Sequence, residues 1–193
     1  MHPSAYSNGK LFFDTYLQYF ESDPVVIEIG SQNVNGSLRD HCKSKNYFGL
    51  DFAVGHGVDL VLTDPYHYPL DDNSVDLVVT SSCFEHSEMF WLSFLEGMRI
   101  LKPIGLLYLN APSSGHVHRY PVDCWRFYPD SGQALVTWAK KNNIPAMLLE
   151  SYIDPYNTWK DFIAVFIKDS EFASHYPNRM SQGRGDILEL VCN

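Results

Sequence analysis

Val25-Val26-Ile27-Glu28-Ile29-Gly30, followed by Tyr47-Phe48-Gly49-Leu50-Asp51, decides the fold. Each run is a short, almost wholly apolar segment that ends in a carboxylate, and the first also ends in glycine. Uniformly apolar strands belong to parallel sheets buried on both faces. In open α/β sheets ligands bind beyond the carboxyl ends of the strands, where an acid about twenty residues past the first strand grips ribose hydroxyls. The pair predicts a nucleotide-like cofactor.

The rest of the chain extends this pattern. A helix is expected from about Ser7 to Phe20, with Phe12, Tyr16, Tyr19 and Phe20 on one face, and Pro24 ends it. Asn35-Gly36-Ser37 supplies a turn and a cap for a short helix reaching about Lys45. Strands are expected at Val58–Leu62, Val75–Thr80 and Gly105–Asn110. Between the last two, Ser87 is read as the cap of a helix with Trp91, Phe94, Leu95, Met98 and Leu101 inward, Lys102 at its negative end and Pro103 as its stop. Asp130 is read as the cap of a helix to about Asn142. Strands near Ala146–Ile153 and Phe162–Lys168 then pair as an antiparallel hairpin. Such alternation predicts a Rossmann-like α/β fold, a mostly parallel sheet with helices on both faces. The expected organisation is one domain: a helical segment 1–24, a core 25–168 and an irregular tail 169–193. Only a short link separates Asp51 from Val58, whereas parallel neighbours normally need a crossover of a dozen or more residues. The usual helix is therefore read as deleted, and the strand after it as short, displaced or absent.

Composition narrows the function classes. The 193 residues are 45% hydrophobic and 15% aromatic, as in globular proteins. A net charge of −9 with no Lys/Arg cluster argues against nucleic-acid binding. No apolar stretch is long enough for a bilayer, the first residues lack a secretion profile, and a cytoplasmic setting without membrane association is expected. Cys42, Cys83, Cys124 and Cys192 have no C-x-x-C spacing, and the eight histidines have no paired-ligand spacing. No metal site is expected.

In order along the chain, Val26-Ile27-Glu28-Ile29-Gly30, Gly49-Leu50-Asp51, the segment from Tyr68 to Val78, Glu85-His86, and Arg99-Ile100-Leu101-Lys102-Pro103-Ile104-Gly105 together resemble the class I S-adenosylmethionine-dependent methyltransferases, and within them the type 11 family. The resemblance runs from about Val25 to Lys168 and implies S-adenosyl-L-methionine as cofactor. It implies that Asp51 holds the ribose, Asp64 the adenine amino group, and Ser81, Ser82 and Cys83 the methionyl end. Glu28 and Gly30 belong to the family's first loop, normally G-x-G-x-G. Here the loop is Gly30-Ser31-Gln32-Asn33-Val34-Asn35-Gly36, so Ser31 and Asn35 are candidates to replace glycine amides with side-chain hydrogen bonds. A nicotinamide dehydrogenase would need G-x-G-x-x-G, which is absent.

Methyl transfer from a sulfonium is an in-line displacement, helped mainly by alignment. A base is required only where the nucleophile must lose a proton. His86, just past the fourth strand, and His116, His118 and Tyr120, in the aromatic connection from Ala111 to Pro129, are the candidates. Asp123, Trp125 and Arg126 in that connection are expected to pin a lid. A small-molecule or glycan acceptor with a hydroxyl is expected, and a small carboxylate or amine stays open beside it. A catalytically silent scaffold that binds cofactor or a partner protein is the alternative, and nothing in the sequence specifies oligomeric state.

Overall fold

The two apolar runs become adjacent parallel strands of one eight-stranded sheet. The computed structural model describes residues 1–192. Strands β1 (Val26–Ile29), β2 (Tyr47–Asp51), β3 (Leu60–Val61), β4 (Val75–Ser81), β5 (Leu101–Pro112), β6 (Met147–Asp154), β7 (Asp161–Ile167) and β8 (Leu188–Cys192) lie in the order β3-β2-β1-β4-β5-β7-β6-β8. The first five are parallel, β7 runs antiparallel to β5 and β6, and β8 runs antiparallel to β6. The order reverses between β1 and β4. Their carboxyl ends, Ile29 opposite Thr80, open the crevice that receives ligands in such sheets.

Each face of the sheet has its own core. On one side, α2 (Phe90–Ile100) and α3 (Pro129–Lys141) pack Phe94, Met98, Leu135 and Val136 against Ile27, Val78 and Leu107. On the other, α1 (Pro3–Tyr16) packs Phe12, Phe13 and Tyr16 against Val26, Tyr47, Leu77 and Tyr108. Phe12 stacks on Tyr108 with ring centroids 4.7 Å apart. Tyr16 donates its hydroxyl to buried Glu150 at 2.8 Å, a carboxylate that also accepts the amides of Met180 and Ser181. The link between β1 and β2 carries only a 3-10 turn, Leu38–His41. Leu38 packs so tightly on Gly9 that any side chain there would collide with it. Helix α1 therefore covers a face that its own crossover leaves bare.

Several boundaries differ from expectation. Helix α1 starts at Pro3, because proline at a first helical position has its φ preset and no amide to waste. It ends at Tyr16, and the chain tightens into a 3-10 turn at Leu17–Tyr19. Ser87 does not cap α2: residues 84–86 form a 3-10 turn, Met89 is the cap position, and the Ser87 carbonyl accepts Trp125 Nε1–H at 2.8 Å. The buried stripe of α2 is Ser93, Phe94, Gly97, Met98 and Ile100; Trp91 and Leu95 are half-buried and Leu101 already belongs to β5. Lys102 pairs with Asp76 at 2.8 Å, and Lys168 instead reaches the Arg99 and Leu101 carbonyls at the helix end. Asp130 lies in the first turn of α3, behind the cap residue Tyr128, whose amide donates to Ser131 Oγ. The tail is not irregular throughout, since it forms a 3-10 turn at Ser170–His175 and the edge strand β8.

The shortened link has a definite form. Residues 52–59 fold back, so that Asn33 N–H donates to the His56 carbonyl and Gly49 N–H to Asp59 Oδ2. Asp59 also pairs with Arg39. With so few residues, β3 is limited to the bridges Leu50 to Leu60 and Asp51 to Val61. Among the described residues no helix is long and apolar enough to cross a membrane.

Candidate active site

A cavity of about 870 Å³ opens over the carboxyl ends of β1, β2 and β4. Its size and mixed lining suit a small-molecule site. Two of the loops that close it come directly from the strands. Gly30 follows β1 with φ +75°, and a Cβ there would run into Cys83 after β4. Only glycine fits both the backbone and the gap. Ser82, also at this switch point, has φ +52°, a conformation that L-residues seldom adopt.

Asp51 is buried at the end of β2 and ties it to the glycine loop. Its Oδ2 accepts Gln32 N–H at 3.1 Å and its Oδ1 accepts Ala53 N–H at 3.2 Å, which leaves further acceptor capacity on each oxygen facing the cavity. Glu28 is 3% exposed and accepts the Tyr47 hydroxyl at 2.8 Å. Burial pushes its carboxyl up to about 7, against the pull of that hydrogen bond and of Arg39. Burial also pushes the Cys83 thiol up to about 12, so Cys83 is a packing group and not a thiolate.

The opposite end of the cavity is built from the turn after β4 and the long connection after β5. Glu85 is 1% exposed, and burial raises its carboxyl to about 8. Its backbone carbonyl accepts the amides of Cys124 and Trp125 and so pins the connection. His86 Nδ1 contacts the Val122 carbonyl, and its Nε2 lies 3.7 Å from Glu85 Oε1. His118 stands edge-on to His86 with centroids 4.9 Å apart, its Nδ1 3.3 Å from Asp123 Oδ2. Burial lowers the His118 pKa. Asp123 is clamped by both terminal nitrogens of Arg126, at 2.6 and 2.8 Å, and this guanidinium holds the carboxyl far below its ordinary range.

Of the residues singled out in the sequence, Glu28, Gly30, Ser31, Asn35, Asp51, Ser81, Cys83, His86 and His118 line this one cavity. Two do not. Asp64 is exposed and turns back to accept Tyr66 N–H at 2.8 Å, a local turn favoured by Pro65; Leu62, Thr63 and Tyr66 line the cavity in its place. His116 is exposed, packs against Trp159 with centroids 4.9 Å apart, and gives its carbonyl to Arg126. Ser82 and Tyr120 line the cavity too, and so do Glu85, Gln32 and Trp159, which the sequence did not mark as binding residues. The Glu85-His86 pair was a signal for Glu85; Trp159 comes from the β6–β7 turn, distant in sequence, and had no signal.

Residues 18–109 match a family model described as a methyltransferase domain. No curated protein matches. Among solved structures, a Burkholderia thailandensis 1,6-didemethyltoxoflavin-N1-methyltransferase, with its substrate and S-adenosylhomocysteine bound, superposes with a TM-score of 0.64 at 11% identity, covering 86% of this chain and 79% of that one. A chain from the complex of the Haloferax volcanii Trm112 methyltransferase activator with its methyltransferase gives 0.56 at 16%, covering 86% and 96%. The [4+2]-cyclase SpnF gives 0.58 at 11%, covering 85% and 81%. At such identities the superpositions establish the fold, and SpnF shows that this fold serves more than one chemistry. The family match therefore covers residues 18–109, and the superpositions extend a methyltransferase-like fold across the sheet.

Proposed function

We propose that this chain transfers the methyl group of S-adenosylmethionine to a small acceptor, a sugar or glycan hydroxyl, inside the cavity over β1, β2 and β4. The observation that carries the reading is convergence. The Gly30 loop and Asp51 close one end of a single cavity, and Glu85, His86 and His118 close the other. The residues fit the cofactor. Ser31 Oγ, Ser81 Oγ and Ser82 Oγ are buried without a protein partner, a costly arrangement unless a polar ligand meets them. Asp51 would hold the ribose hydroxyls, with Glu28, Ser31, Asn35, Ser81 and Cys83 around the methionyl end.

The cofactor supplies an electrophilic methyl group. The protein's part is to exclude water and hold the acceptor oxygen in line with it. His86, fixed in orientation by the Val122 carbonyl, has its Nε2 free to take the acceptor's proton, and His118 stands beside it. The test is release of S-adenosylhomocysteine from S-adenosylmethionine over a panel of sugars and oligosaccharides, with small amines and carboxylates alongside. Turnover with a hydroxylated sugar supports the reading. Turnover confined to amines or carboxylates removes the glycan acceptor, and tight cofactor binding with no turnover on any acceptor favours a silent scaffold.

A further inference from the structure

The acceptor end of the cavity holds three groups whose lone pairs converge. One ligand atom from each of Glu85, His86 and His118 lies within 4.8 Å of the other two. No linear spacing signals this, because the third member arrives from the connection after β5. We infer that Glu85, His86 and His118 form a site for one divalent transition-metal cation, which would hold an oxygen of the acceptor.

Four features support it. Two imidazoles and a carboxylate are the donor set that borderline cations such as Zn²⁺, Co²⁺ and Fe²⁺ take. His86 has Nδ1 against the Val122 carbonyl, so Nε2 is the nitrogen left to bind. His118 Nδ1 is buried without a hydrogen-bond partner, 3.3 Å from Asp123 Oδ2, and Asp123 is itself locked by Arg126. A carbonyl behind the ring, as at His86, is how metal-binding histidines are usually oriented. Finally, Glu85 Oε2 is buried without a hydrogen-bond partner, although its side chain is only 1% exposed. An unpaired acceptor buried at a cavity wall is expensive unless a cation or donor meets it.

The geometry is near what coordination needs. Bonds of ~2.0–2.2 Å place ligand atoms roughly 3–4 Å apart. The 3.7 Å between His86 Nε2 and Glu85 Oε1 is already in that range, and the widest separation needs side-chain adjustments of under an ångström or so. Three protein ligands beside a cavity leave coordination positions open, the pattern of catalytic and not structural sites. This inference deepens the proposed reaction and rests on it for its role. With the cation in place His86 Nε2 is a ligand and no longer the base, so the acceptor hydroxyl would coordinate through oxygen and its proton would pass to solvent. As the oxygen–carbon bond forms, the sulfur–methyl bond breaks and S-adenosylhomocysteine leaves.

The experiment is titration of the chelator-stripped 193-residue chain with Co²⁺, followed by calorimetry and by visible absorption of the bound ion. One equivalent is expected to bind at micromolar concentration with a nitrogen–oxygen ligand spectrum. Glu85→Gln and His118→Asn should each weaken binding at least tenfold, whereas His175→Asn, far from the cavity, should not change it. Circular dichroism of each variant checks folding, and the wild-type spectrum gives an answer even if a variant does not fold. No binding to wild type at millimolar Co²⁺ overturns the inference, as does binding that survives both substitutions in folded protein. A separate titration of wild type with S-adenosylhomocysteine reports on the cofactor reading alone: its failure beside intact Co²⁺ binding removes the methyl-transfer role and leaves the metal site.

Discussion

Glu28 makes stability depend on pH in a direction opposite to the usual salt-bridged carboxylate. Its side chain sits at the end of β1, 3% exposed, and its carboxyl is raised from 4.5 to about 7. Below about pH 4.5 the group is protonated in folded and unfolded chains alike, so the stability that burial of the neutral acid permits is fully present. Between 4.5 and 7 the unfolded chain has released its proton while the folded one keeps it, and stability falls as pH rises. Each pH unit across that window costs 1.36 kcal/mol, about 3 kcal/mol in all, and the loss is complete above about pH 7. Equilibrium urea unfolding from pH 4.5 to 8.5, with chelator present, measures this. Glu28→Gln should flatten the profile between 4.5 and 7 by about 3 kcal/mol. Tyr47→Phe removes the hydroxyl that lowers the Glu28 pKa and should carry the decline to higher pH. Glu85, raised to about 8, adds a decline of the same sign that Glu28→Gln leaves intact. An unchanged slope between pH 4.5 and 7 in Glu28→Gln would refute the burial argument.

Gly30→Ala combines an unfavourable φ with a collision against Cys83, and about 2–4 kcal/mol of lost stability is expected. Adding Cys83→Gly should recover the steric part, and a loss under about 1 kcal/mol for Gly30→Ala alone would contradict the close approach. Arg126→Met leaves the covered Asp123 carboxylate without its cation, at a cost of about 3 kcal/mol. The connection should then open locally, read as faster tryptic cleavage at Arg119; cleavage at the wild-type rate would show that Arg126 does not pin it.

Legibility in the sequence followed the range of the interactions. The largely apolar runs at 26–29, 75–80 and 105–110 mark buried strands, although β5 already starts at Leu101, where the helix was expected to end, and the turn at Asp154–Asn157 marks the final hairpin. These signals are local. Helix caps were less readable. Ser87 and Asp130 are common cap residues, yet Pro129 and the 3-10 turn at Phe84–His86 move both helix starts. The charge at the end of α2 was assigned to adjacent Lys102, but Lys168 arrives there from β7. No pattern within one element could reveal that. Edge strand β8 was missed because Leu188-Glu189-Leu190-Val191 is mostly exposed and lacks a clean alternation.

The site divides the same way. Glu28, Gly30 and Asp51 end strands, so their position in the crevice follows from the topology. Asp64 carries the right residue type, but a proline follows it, and the local turn captures its carboxylate. His116 and His118 looked equivalent two residues apart. Asp123, held by Arg126, and the His86 ring meet only His118, while Trp159 packs against both rings and Arg126 takes the His116 carbonyl.

Calorimetric titration with S-adenosylhomocysteine tests the central claim most directly. Wild type should bind one equivalent, and Asp51→Ala should bind at least tenfold more weakly, a loss of about 1.4 kcal/mol or more. No binding to wild type at millimolar concentration, or an affinity untouched by removal of Asp51, would contradict it.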